Sequence, residues 1–310
     1  MKHENICFSN LAERYLDSET IHGNRRSEAV TIITRRLIQR FGNLKLADVN
    51  WPVSISGMVR ELKVDGDIFA AKRRKYSNAY INIYITTLNA MFRLANDSFG
   101  YAKPLPRTKK LPEPGRELYL KPAQITALCD HLPPLRASMV RFAFHTGLRN
   151  TTVRLLKWDQ VETTGSKTVI EFYGTQMKNS KPFAAPLNRH AVELLRERKT
   201  VTEELEGTVG GSIPWVFAQS GRRLQDCRPL GRTGMCNDVW KRAVAAAGLP
   251  ANTTFHTLRH SMATHHVKNG TDSTELLAVG GWRSIASVTR YLHVDVDHQH
   301  TVLERVAERV

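Results

Sequence analysis

Apolar positions recur at helical spacing through the first third of the chain. Phe8, Leu11, Tyr15 and Leu16 form one such set, and Ile33, Leu37, Ile38 and Phe41 form another. The longest stretch runs from about Ser77 to Phe99, where Ile83, Leu88, Met91, Phe92 and Ala95 alternate with the polar Asn82, Asn89 and Arg93. With glycine-containing loops between these stretches, the spacing predicts four short helices over residues 6–99, making a helical domain of residues 1–100. The stretch from Tyr101 to Gly115 then places Pro104, Pro106, Pro112 and Pro114 among Arg107, Lys109 and Lys110. Proline at that density breaks a helix and gives a semi-rigid extended segment. A basic, proline-rich linker is therefore predicted over 101–117, with a second domain over 118–310.

Beyond the linker the periodicity is mostly helical again. Helices are predicted at Pro122–His131, Leu135–His145, Asn188–Lys199, Met235–Ala247 and His256–Lys268. Short ones follow at about Ser273–Val279 and Ile285–Leu292. Thr168 to Tyr173 is β-branched and aromatic and reads as a strand; a turn at Asn179-Ser180 leads to a second strand ending near Leu187. The expected fold is thus mainly α with a small antiparallel β-sheet. At the C-terminal end Val302, Leu303, Val306 and Val310 form an apolar stripe on a short predicted helix. Such a stripe must bury somewhere, by default on its own domain.

Composition narrows the class of partner. The 310 residues carry 45 Lys+Arg against 29 Asp+Glu, a net charge of +16, and the isoelectric point of about 9.9 points to a polyanion. The basic run Lys72-Arg73-Arg74-Lys75, just before the longest helix, reads equally as a solvated face or as a grip on phosphates. No apolar run reaches the ~20 residues of a spanning helix, and the polar first residues lack the pattern of a secretory signal, so a cytoplasmic, DNA-associated setting is expected. Cys7, Cys129, Cys227 and Cys236 are scattered without a CxxC pair, which argues against a zinc ribbon or a disulfide framework.

Three segments carry candidate chemistry. His145-Thr146-Gly147-Leu148-Arg149 reads as a helix end closed by glycine, with an arginine just beyond. In Phe255-His256-Thr257-Leu258-Arg259-His260 the histidine at 256 and the arginine at 259 share a helix face. Gly280-Gly281-Trp282-Arg283-Ser284 is followed by Thr289-Arg290-Tyr291-Leu292-His293. A tyrosine beside so much positive charge can serve as an oxygen nucleophile, because nearby cations favour phenolate. Tyr80, Tyr84 and Tyr173 fall in apolar or strand contexts and read as core, and Tyr119 lies near the linker without a basic constellation. His256, His260, His265 and His266 invite a metal reading, but no HExxH glutamate accompanies them; His260 reads as a packed structural residue.

Taken in order, Thr-Gly-Leu-Arg, a lysine on a hairpin, His-x-Leu-Arg-His, Gly-Gly-Trp and a tyrosine resemble the tyrosine recombinase (phage integrase) family. The resemblance runs from Leu118 to about His293, and the first domain is similar, less specifically, to the family's core-type DNA-binding domain. It implies that Arg149 and Arg259 hold the phosphate through their planar forks and that His256 exchanges protons beside it. It further implies that Lys178, rather than Lys181, protonates the leaving 5′ oxygen, and that Tyr291, nine residues after Trp282, is the nucleophile. Trp282 stands where many members have histidine; its indole N–H can donate a hydrogen bond but cannot shuttle protons. Thr152 stands where the family usually has an acidic or amide side chain. For the apolar stripe at 302–310 the resemblance implies, with slight preference, docking on a neighbouring subunit.

The implied activity is site-specific DNA recombination through a 3′-phosphotyrosine intermediate and a Holliday junction, as in an integrase of a phage or mobile element. Each step exchanges one phosphodiester for another, so no cofactor and no metal are expected, and no GxxxxGK loop is present. The acidic pairs Asp65/Asp67 and Asp295/Asp297 fall in turn-like contexts unsuited to catalytic magnesium. The implied partners are double-stranded DNA and further copies of the chain, as a tetramer on synapsed sites, with room for an accessory directionality factor and none for a membrane. Competing readings are a type IB topoisomerase-like enzyme that nicks and reseals one strand, a DNA-binding protein with an impaired catalytic site, and a metal-dependent nuclease built on the histidines.

Overall fold

The apolar stripes close on one another as two separate cores. In the computed structural model the chain divides into the units Met1–Gly115 and Arg116–Val310. The structure describes residues 6–21, 28–99, 109–113, 118–172, 183–231, 234–235, 237–282, 284–291 and 304.

The first unit contains the helices α1 (Phe8–Ile21), α2 (Glu28–Phe41), α3 (Ser56–Arg60) and α4 (Asn78–Phe99). Short π-type turns, Trp51–Ile55 and Glu61–Asp65, flank α3. Phe8, Leu11, Ile33, Leu37, Met58, Tyr84 and Leu88 form the heart of the core, and Phe8 meets Phe41 edge-on at 5.6 Å. Asn82 of α4 is only 4% exposed. Its amide donates to Leu111 O (2.9 Å) and Glu113 Oε1 (2.6 Å) and accepts from Leu111 N (2.7 Å). Asn78 adds a bond to Pro112 O at 2.7 Å. A buried amide satisfied on both sides is stabilising where an unsatisfied one would be costly. It thereby fixes residues 111–113 of the proline-rich stretch against α4.

The second unit begins with α5 (Pro122–Asp130) and α6 (Pro134–Thr146), each opened by a proline in its first turn. After α7 (Asn150–Arg154) come β1 (Val161–Thr164), β2 (Lys167–Phe172) and β3 (Phe183–Pro186), an antiparallel sheet in the order β1-β2-β3. Ile170 is the pivot of its register, facing Val161 on one side and Ala185 on the other. β2 buries every second residue (Thr168, Ile170, Phe172), the period of a strand with one face on a core. β1 lay outside the sequence expectation because three of its four residues are exposed and carry no alternation; its ladder to β2 fixes it.

The remaining helices are α8 (Arg189–Val209), α9 (Asp238–Ala246), α10 (Phe255–Lys268), α11 (Ser273–Gly280) and α12 (Ile285–Val288), followed by a 3-10 turn, Thr289–Tyr291. α8 starts at an Asn188 cap that accepts from Ala191 N and stops only at Gly210 (φ 71°), well past the expected end near Lys199. α9 begins at its Asn237 cap, later than Met235, which is a core residue instead. Phe142, Phe217, Leu128, Val140, Ile170 and Leu258 lie at the centre of this core. No helix among the described residues is long and apolar enough to cross a membrane. The apolar stripe expected at 302–310 lies outside the described residues, apart from Glu304.

Candidate active site

α10 packs along α6, and that contact assembles the site. Helical spacing on α10 buries Phe255, Leu258 and Met262, and it carries Arg259 inward with them, to 3% exposure. Arg259 Nη1 donates to the carbonyl oxygen of Gly147 at 2.5 Å. Gly147 ends α6 in the left-handed conformation (φ 64°), and a Cβ there would overlap the terminal methyl of Met262. Glycine is thus required twice at this turn, for its backbone angle and for the close approach of α10. Two residues on, Arg149 caps α7 with its side chain exposed.

The Gly-Gly-Trp turn supplies the other side of Arg259. The guanidinium lies over the Trp282 ring at 3.9 Å, a cation–π stack. A Cβ on Gly280 would overlap that indole, and Gly281 (φ 59°) lies against Phe183 of β3, where a Cβ would sit 3.0 Å from the ring. Tyr291 meets Trp282 edge-on at 5.7 Å and the His260 ring at 5.3 Å. His260 in turn meets His256 at 4.6 Å. His256 is exposed, whereas Trp282 and Tyr291 are each 9% exposed and share a small apolar cluster with Met262, Leu276 and Val288.

The electrostatics follow from this burial. Arg259 has its pKa pulled down to about 10, first by desolvation and then by the charge of Arg149, while Tyr291 acts in the opposite direction. Its Nη2 is buried without a hydrogen-bond partner among the described residues. A buried donor left unpaired is costly, and a non-bridging phosphate oxygen is a partner suited to its planar fork.

The structure therefore gathers His256, Arg259, Trp282 and Tyr291 by direct contacts through His260, and Arg149 through its field on Arg259. Lys178 lies outside the described residues. Three supporting groups escaped the sequence reading: the Gly147 carbonyl, Met262 and Phe183. Only the glycines hinted at them. Tyr119 also differs from expectation, for Lys268 Nζ stands 5.2 Å over its ring and His265 meets it edge-on at 5.8 Å. No arginine pair accompanies it among these contacts. Among the described residues no three His, Cys, Asp or Glu side chains converge as a metal site would require.

Several known proteins are similar to this chain in sequence or in fold. The integrase of Salmonella phage P22 is 28% identical over 222 residues, 69% of this chain and 54% of that one. The tyrosine recombinase XerD of Brucella suis is 26% identical over 205 residues, 65% and 63% of the two chains. The chain thus spans little more than half of the first relative and under two thirds of the second. Among solved structures, the Tn1549 transposon integrase in complex with transposon right end DNA superposes with a TM-score of 0.71 at 19% identity, covering 97% of this chain and 100% of that one. A lambda integrase dimer bound to a core site gives 0.65 at 18% identity, covering 94% and 78%. At such identities the likeness is one of fold, that of a tyrosine recombinase. The phage integrase family model matches residues 119–298, a span containing α10, the Gly-Gly-Trp turn and Tyr291, and the chain belongs to that family.

Proposed function

We propose that this chain is a site-specific DNA recombinase that cuts and rejoins double-stranded DNA through a 3′-phosphotyrosine. The observation that carries the reading is Arg259, a buried guanidinium stacked on Trp282 with one N–H pair unmatched by protein, in an aromatic cluster that includes Tyr291. Arg259 and Arg149 hold the non-bridging oxygens and stabilise the charge that grows there in the transition state. The Tyr291 oxygen attacks phosphorus in line and its proton passes to His256. The bond to the 5′ oxygen breaks, and that oxygen leaves as a hydroxyl with a proton from Lys178. Attack by the 5′ hydroxyl of a partner duplex reverses the step on a new strand and builds a Holliday junction. Trp282 positions Arg259 and donates through its indole N–H.

Strand exchange needs two duplexes, hence a homotetramer on synapsed sites; an accessory directionality factor is compatible with that assembly. The names of the relatives favour integration or resolution of a mobile element in a bacterial host. The test is a nicked suicide duplex incubated with the full chain in EDTA. The expected result is a detergent-resistant protein–DNA adduct that is absent for Tyr291→Phe while duplex binding persists. A chelator-sensitive cut without an adduct contradicts the proposal.

A further inference from the structure

The first unit holds a buried ionic network that the chemistry above does not use. Asp67, read from the sequence as a turn residue, is fully buried. Its Oδ2 accepts from Tyr84 Oη at 3.0 Å and pairs with Arg36 Nη1 at 3.1 Å. Its Oδ1 accepts from Phe69 N at 3.1 Å and lies 3.8 Å from Arg40 Nη2. Arg40 also pairs with Glu61 at 2.5 Å, and Glu61 accepts from Ile68 N at 3.2 Å. Arg36 donates to Tyr76 Oη at 2.8 Å. Two arginines thus face two carboxylates, balanced in charge and tied to α2, α4 and the turn after α3.

The network holds one loop in particular, residues 66–76, through Asp67, Ile68, Phe69 and Tyr76. Asp67 N donates to Arg74 O at 3.0 Å, Arg73 Nε to Asp65 O at 2.9 Å and Tyr76 N to Leu62 O at 2.9 Å. Gly66 (φ 86°) closes the neck, where a Cβ would lie 3.1 to 3.3 Å from Arg73 and Arg74. The guanidinium of Arg74 rests on the Tyr76 ring at 4.9 Å. At the far end Lys72, Arg73, Arg74 and Lys75 are all exposed. A desolvated ion-pair network is a poor source of stability by itself, but it specifies one geometry, since breaking one member leaves a buried charge unpaired.

We infer that Asp67 is a positioning residue for DNA binding: it pins the 66–76 loop so that Lys72 and Lys75 meet the phosphate backbone in a fixed arrangement. Preorganisation of this kind lowers the ordering cost of each contact. The inference rests on the proposal that the chain binds DNA, and specifically on the basic run touching phosphates.

The experiment is a double-mutant cycle read as the slope of log affinity against log salt, with the full chain and a short duplex of arbitrary sequence. Lys72→Ala/Lys75→Ala in the otherwise native chain should lower the slope by about 1 per lysine. In an Asp67→Asn background the same pair of substitutions should lower it by less than half as much, because a loosened loop no longer delivers the charges. Equal losses in both backgrounds overturn the positioning role while leaving the phosphate contacts standing. No loss in the native background shows that the run does not meet DNA and removes the premise. If Asp67→Asn loses its helical circular dichroism, Tyr84→Phe replaces it. That substitution removes the hydroxyl that donates to Asp67 and accepts from Arg36 Nη1 at 3.2 Å while keeping the ring, and it should weaken the lysine contribution in the same sense; full additivity with Tyr84→Phe overturns the inference.

Discussion

Arg259 combines two properties that rarely coexist: a positive charge and near-complete burial with no carboxylate paired to it among the described residues. One N–H bonds the Gly147 carbonyl, the face stacks on Trp282, and Nη2 has no hydrogen-bond partner among the described residues. Lysine cannot reproduce this, since its ammonium has no plane to stack and no fork to pair bidentately. Arg259→Lys should therefore lower the rate of covalent adduct formation by roughly 10²–10³, the usual cost of losing a transition-state donor, with little change in duplex affinity. Single-turnover adduct kinetics beside a binding titration check this; equal losses in both would make Arg259 a general binding residue. The spacing of His256 and Arg259 on one helix was legible from the sequence. The Gly147 carbonyl was not, because a backbone acceptor 112 residues away leaves no mark on a side-chain pattern. The burial of Asp67 was illegible for the same reason, its partners lying 17 and 31 positions away on α4 and α2.

Among the elements, the Gly-Gly-Trp turn joins the end of α11 to the tyrosine segment while leaving Trp282 against Arg259. Gly280 is needed there for space and Gly281 for its backbone angle. Gly280→Ala should push the indole off the guanidinium, cost about 1–3 kcal/mol as overpacking does, and slow adduct formation more than duplex binding. Thermal unfolding together with tryptophan fluorescence and cleavage rate checks it; a variant with native fluorescence and rate would mean that the stack is not needed. The helices carrying the site, α6 and α10, were readable from their helix-compatible runs and from the glycine or cap at their ends rather than from a one-sided apolar stripe, since both bury residues on several sides. β1 and the second half of α8 were not, because one is mostly exposed and the other is rich in Thr and Glu, with Leu205 and Val209 packing on a small separate cluster with Ile213, Ala218 and Cys227.

For the molecule as a whole, two half-buried histidines link stability to pH. His145 at the end of α6 stacks on His190 at 5.0 Å, and its pKa is lowered below 6.5 by burial and then by that neighbour. His266 is lowered likewise by burial and then by His265. Each therefore binds a proton less readily in the folded state than in the unfolded chain, so stability falls as the pH drops through 6.5 and below. The melting temperature should decline on acidification, and less steeply in His145→Gln or His266→Gln; unchanged slopes would exclude these residues as the cause. The net charge of +16 acts at the same scale, favouring a polyanion before any motif is considered.

Strand cleavage by this chain, as proposed, turns on one oxygen atom, the Tyr291 hydroxyl. Trypsin cleavage after Arg290 and Arg305 yields the peptide 291–305, in which Tyr291 is the only tyrosine. Mass spectrometry of the adduct trapped on a nicked duplex should place the nucleotide on that peptide, at Tyr291. An adduct on Tyr119 or any other residue, or cleavage with no adduct at all, would contradict the account.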